Sequence, residues 1–256
     1  MRSEASKKTD TIQKEVEKNI MKEADFIRKG RNFNRKTQDG MTQVVTFELY
    51  KKYPFDPTLL SVLAGIRIPE CSGKSFDRTE SSDVFAYSDC TLSVDMGKFK
   101  GIDGYRGYSG FHYCLDKGDT KQRDENERMF APFMPKFTHP RYKKDFYTNN
   151  DTDYEDRVED IISDISDVLI GKIFPFFSDM DSRDKILQNT QKYKKLNIFG
   201  HLWELETVFI YGARGDIEKA KQVFNKYYKR KKGTIFKKAN EFHIEYLDEI
   251  AKRLDL

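Results

Sequence analysis

The Asp39-Gly40 pair, set between two strand-like runs, restricts the fold more than any other feature of this sequence. Asp-Gly is a hairpin signal because glycine supplies a positive φ at little steric cost. The residues before it run from Arg31 to Lys36. Those after it, from Met41 to Tyr50, are rich in β-branched and aromatic side chains that suit a pleated sheet. A hairpin so early commits the chain to antiparallel pairing. Leu59 to Ile68, closed by Pro69, reads as the next strand, with shorter ones at Val84–Tyr87 and Thr91–Val94. Sequential short strands favour an antiparallel meander over a parallel βαβ sheet.

Ahead of the hairpin, Ile12, Val16, Ile20, Ala24 and Ile27 recur at helical spacing. This predicts a helix over Thr9–Lys29, capped by Thr9 or Asp10 and closed at Gly30. From residue 97 to 150 the pattern breaks into glycines, aromatics and charged runs. So long a structureless stretch is unusual in a compact domain, and an extra strand is expected around Tyr108–Leu115. Beyond it the chain reads as helical. An apolar stripe of Val158, Ile161, Ile162, Ile165, Val168 and Leu169 is ended or kinked at Pro175. Further helices are expected at Asp181–Lys195, Phe199–Tyr211, Ile217–Tyr228 and Ile235–Leu254. The fold class expected is α+β: an N-terminal helix, an antiparallel meander sheet, then a helical C-terminal half. Two parts are expected, an α+β domain over 1–180 holding the irregular segment 97–150, and a helical extension over 181–256 packed on it.

The 256 residues carry 20 Phe and 14 Tyr, enough aromatic surface to mark a folded chain despite 34% charged residues. The net charge of +4 does not by itself announce a nucleic-acid binder. Cys71, Cys90 and Cys114 are odd in number and lack a C-x-x-C spacing, which points to a reducing compartment. With no apolar leader and no run long enough to span a bilayer, a cytoplasmic location without a membrane partner is expected, in a bacterium by residue usage.

Several chemistries are tested and set aside. Ser72-Gly73-Lys74-Ser75 lacks the upstream glycine of a phosphate-binding loop, since Ile68 stands there. Gly101, Gly104, Gly107 and Gly110 suit turns, because no helix follows them. His112, His139, His201 and His243 are scattered, so neither a metal site nor a cofactor is expected. The acids between Asp151 and Asp167 fall around the exposed side of one helix. No catalytic residue is assigned, and catalysis is not the favoured reading.

Two resemblances add to this. The stretch Phe26–Phe33, with Arg35, Gly40 and Gln43–Phe47, resembles the opening of a family of bacterial domains of unknown function; Ile173-Phe174-Pro175-Phe176 resembles its close. The likeness spans about residues 10–190 and implies an α+β fold without a defined activity. Thr207–Tyr228 resembles the middle of a tetratricopeptide helical hairpin, present once. The function expected is therefore non-catalytic binding of another protein, within which an immunity protein masking a cognate bacterial toxin fits the first resemblance. The candidate partner-binding residues are Arg31, Arg35, Arg67, Tyr105, Arg106, Tyr108 and Tyr113, of the types that dominate interface energetics. Alternation is expected to put Arg31 and Arg35 on one face, flanking a half-exposed Phe33. Two alternatives stand beside this reading. One is a nucleic-acid-binding accessory protein using Tyr227, Tyr228, Lys229, Arg230, Lys231 and Lys232. The other is an enzyme whose site is assembled from residues distant in sequence.

Overall fold

Hairpins build the sheet in a computed structural model that describes residues 3–51, 58–71, 84–101, 111–116, 121, 158–196, 203–235, 247–248 and 250–252. Strands β1 (Ile27–Lys29), β2 (Asn32–Lys36), β3 (Thr42–Tyr50), β4 (Leu59–Arg67) and β5 (Leu92–Asp95) follow one another in space as in sequence. Every pairing is antiparallel, and β6 (Tyr113–Cys114) adds to β4 beside Leu59 and Leu60. The chain is α+β, with a meander sheet between an N-terminal helix and later helices.

The first helix, α1 (Glu4–Val16), is capped by Ser3 and runs into a π-helical turn at Glu17–Met21. It stops short of the expected Lys29. Asp25 takes the left-handed conformation (φ 60°) and breaks the helical path, and Ile27 lies on β1, 75% exposed. Gly30 is not a helix cap but the first residue of the Gly30-Arg31 turn between β1 and β2, with φ 62°. The hairpin read from Asp39-Gly40 forms as expected, with Lys36 opposite Thr42.

The register puts Phe33, Arg35, Gln43, Val45, Phe47, Val62 and Ala64 on one face. That face carries the main core. The four-residue α2 (Met96–Phe99) follows β5. Among the described residues, α1 packs against that face and against α3 (Val158–Val168). A π-helical turn at Leu169–Ile173 joins α3 to α4 (Phe174–Asp179). Pro175 therefore does not end the run: it stands in the first turn of α4, just after the wider turn in which Phe174 N donates to Leu169 O. Phe26 stacks on Phe174 at 5.9 Å, and Phe176 and Phe177 are fully buried.

The opposite face is crossed by residues 84–90. Asn34 donates from Nδ2 to Phe85 O at 3.0 Å and accepts from Phe85 N at 2.8 Å; Tyr87 N donates to Thr46 Oγ1 at 3.0 Å. This explains why Val84–Tyr87 is not a strand despite its composition. Sheet side chains take both polar groups of Phe85 and the Tyr87 N–H, while Ala86 and the Tyr87 carbonyl bond to Asp89 and Cys90 in a tight turn, so no ladder with a neighbouring strand forms. Cys90 rests where Gly65 has no side chain, and burial pushes its thiol well up.

The chain divides into two compact units, one of residues 1–67 and 80–198, the other of 68–79 and 199–256. Residue 180, where the sequence reading divides the chain, lies inside the first, as does α5 (Arg183–Asn189). The second holds a helical hairpin, α6 (Trp203–Ala213) and α7 (Ile217–Ile235), turned at Gly215 with φ 78°. Leu205, Val208, Ala220, Phe224 and Tyr227 form its core with Leu247 and Ile250. Among the described residues, no helix is long and apolar enough to cross a membrane.

Candidate functional site

Opposite Arg35 in the β2–β3 ladder stands Gln43, and this pair founds the site. Gln43 is almost fully buried, and its Nε2 donates to Phe177 O at 2.9 Å. That bond settles which end of the amide faces the arginine. Gln43 Oε1 then accepts from Arg35 Nε at 2.8 Å and Nη2 at 2.6 Å. Arg35 Nη1 donates to Ala24 O at 2.8 Å, a carbonyl presented by the turn ahead of left-handed Asp25. The guanidinium lies over the Phe26 ring at 4.6 Å from its centroid. Three hydrogen bonds and a stacked ring thus fix a planar cation.

Arg35 and Gln43 form one side of an open groove of about 590 Å³. Residues 36–39 of the β2–β3 hairpin form a second side, and Asp181 and Ser182 a third. The hairpin tip is anchored there: Arg183 donates its backbone N–H to Asp39 Oδ2 at 2.8 Å, and its guanidinium pairs with the same carboxylate at 3.0 Å. Asp181 pairs with Lys185 at 2.9 Å. Burial lowers the proton affinity of Arg35, and the fields of Asp25 and Asp181 oppose this. Neither carboxylate forms an ion pair with it. A guanidinium has five N–H donors, so two are left without a protein acceptor among the described residues.

Of the expected site residues that the structure describes, Arg31, Arg67 and Tyr113 do not gather around Arg35. Arg31 is exposed in the β1–β2 turn. Phe33 is not half-exposed but fully buried against Phe47 at 5.7 Å, and Arg28, not Arg31, lies over it at 5.9 Å. Arg67 is on the other face of the sheet, 5% exposed and 4.0 Å over Phe85. Tyr113 is a core residue whose hydroxyl donates to Asp164 Oδ2 at 2.5 Å; burial and then that carboxylate hold its proton on firmly. Tyr105, Arg106 and Tyr108 lie outside the described residues. In the alternative set, Tyr227 is 2% exposed in the hairpin core and Tyr228 stacks on Phe224 at 5.9 Å. Tyr227 is thus closed to a nucleobase. Lys229 is exposed, and Arg230, Lys231 and Lys232 continue the same helix beyond the described side chains.

Two further polar sites escaped the sequence reading. Ser61 Oγ lies 2.5 Å from His112 Nδ1, and Asp95 shares a face with Ser61 through its pairing with Leu63. Burial lowers the His112 pKa, while Asp95 pulls it up. Ser61 is only 5% exposed, so this is a buried hydrogen-bonded cluster and not an open nucleophile. In the second unit, burial raises the Glu206 carboxyl to about 7, and its Oε2 has no hydrogen-bond partner. Counting outward from a two-residue Asp39-Gly40 turn would have set Arg35 opposite Val44; the observed loop is one residue longer, with Thr37 N bonded to Met41 O, and this shifts the partner to Gln43. No sequence signal marks the bond from Gln43 to Phe177, which lies 134 residues away. Compared with known proteins, the chain matches no family model, no curated protein and no solved structure.

Proposed function

We propose that this chain is a non-catalytic protein-binding protein and that the Arg35 groove is its contact surface. The observation that carries the reading is the fixed Arg35 guanidinium opening onto a polar groove. A guanidinium keeps its proton across the physiological range, so it suits recognition and orientation better than proton transfer. Interface hot spots favour arginine held in place by its neighbours. An immunity protein covering a cognate toxin belongs to this class, and the groove would be the surface it offers.

The test is affinity capture from the native host with the tagged chain, with and without nuclease, in parallel with two variants. Lys36→Glu reverses a charge on the groove, and Lys229→Glu reverses one on α7. The expected result is one stoichiometric protein that survives nuclease, is lost with Lys36→Glu and is kept with Lys229→Glu. Material that vanishes with nuclease and with Lys229→Glu would replace this reading with nucleic-acid binding through the basic helix.

A further inference from the structure

We infer that the Arg35 groove recognises the carboxylate of an acidic side chain on the partner polypeptide, an assignment that rests on the protein-binding reading above. Arg35 has its Nε and Nη2 edge on Gln43 and one Nη1 proton on Ala24 O. The protons left over sit on the two terminal nitrogens, where a guanidinium meets a planar carboxylate. The cation is prepaid in orientation, because Gln43 is locked by Phe177 O and the Phe26 ring supports the flat side.

The charge of the groove chooses among anions. The lining carries two cations, Arg35 and Lys36, and two carboxylates, Asp39 and Asp181, so it is close to neutral by formal charge. A dianionic phosphate would meet two carboxylates with little net attraction, whereas one carboxylate needs a single cation. A polypeptide also brings backbone N–H donors; Asp39 (on Arg183), Asp181 (on Lys185) and Ser182, whose Oγ accepts from Lys185 N, are each engaged already but keep further lone pairs for them. The volume of about 590 Å³ is of the size that holds a few residues, and its open form admits a chain passing through.

The test uses the full chain and four probes: a blocked peptide with one central glutamate, the same peptide with glutamine, inorganic phosphate, and glutarate as a free dicarboxylate. Binding is read by NMR at the Arg35 Nε–H and, independently, at the Gln43 side-chain amide. The glutamate peptide should shift both resonances saturably and the glutamine peptide should not. Arg35→Lys, which keeps the charge but loses the fork, should weaken binding by about tenfold. Asp181→Asn, on the groove rim, should strengthen it by about two- to fivefold and keeps the test decisive if Arg35→Lys does not fold. Equal or absent responses to the two peptides would overturn the assignment, as would tighter binding of phosphate or of glutarate than of the glutamate peptide. Captured partner that binds Arg35→Lys as well as the parent would sink this assignment and leave the protein-binding reading standing. A glutamate-specific response with no captured partner would do the reverse.

Discussion

Gln13 shows how much one side chain can cost. It is fully buried on α1, and neither its Nε2 nor its Oε1 has a partner. A buried polar group without a partner costs about 1–3 kcal/mol. Gln13→Met keeps the length and removes the amide, so it should raise stability by about 1–2 kcal/mol in urea unfolding; a loss of stability would mean that the amide does find an acceptor. Glu206 presents the same problem with a charge. Its folded pKa is raised above the unfolded value of 4.5, to about 7. Its contribution is therefore favourable below pH 4.5 and is lost as pH rises toward 7. Glu206→Gln should stabilise the second unit by about 2 kcal/mol at pH 8 and change little at pH 5. Equal effects at both pH values would show that burial of the carboxyl is not the cause.

Among the elements, antiparallel hairpins were the most legible. A turn signal and a β-branched run suffice to place β2 and β3, and the small Ala220 with Gly215 suffices for the α6–α7 hairpin. The end of α1 was not legible, because Ala24 and Ile27 continue the helical spacing while the backbone reversal at Asp25 leaves no apolar trace. Ile27→Thr tests the difference. On a helix stripe it would cost more than about 1 kcal/mol, but on exposed β1 it should stay within about 0.5 kcal/mol. Val84–Tyr87 was misread for another reason. Asn34 takes both polar groups of Phe85 and Thr46 takes the Tyr87 N–H, which a linear pattern does not show. That crossing depends on Gly65: a Cβ there would stand 2.6 Å from Cys90 Sγ, 2.7 Å from its Cβ and 2.9 Å from Leu92 O. Gly65→Ala should cost about 1–3 kcal/mol. Cys90→Ala in the same chain should recover little of it, since the Cβ and the backbone oxygen stay. Full recovery in a double-mutant cycle would place the strain on the sulfur alone.

At the level of the whole molecule, the two units should answer pH in opposite senses. In the first, burial lowers the His112 pKa below its ordinary 6.5. Its stability contribution is full above 6.5 and falls as the pH drops beneath that value, where the unfolded chain takes the proton. In the second, Glu206 gives the reverse slope between 4.5 and about 7. Trp203, the sole tryptophan, begins α6 and reports the second unit by fluorescence. Its unfolding midpoint should fall between pH 5 and pH 8, and Glu206→Gln should flatten that trend. Hydrogen exchange in β4 should show the first unit weakening from pH 7 to pH 5, with His112→Gln removing part of the change. A common slope in both units would contradict these assignments.

The second unit is drawn from two stretches of chain, and Cys71 Sγ reaches Glu206 O across 135 residues. During synthesis the residues around Pro69 therefore leave the ribosome long before the helices they will meet. At about 5–20 residues per second the wait is roughly 7–27 s. For that interval the Cys71 thiol is without the Glu206 carbonyl it finally meets.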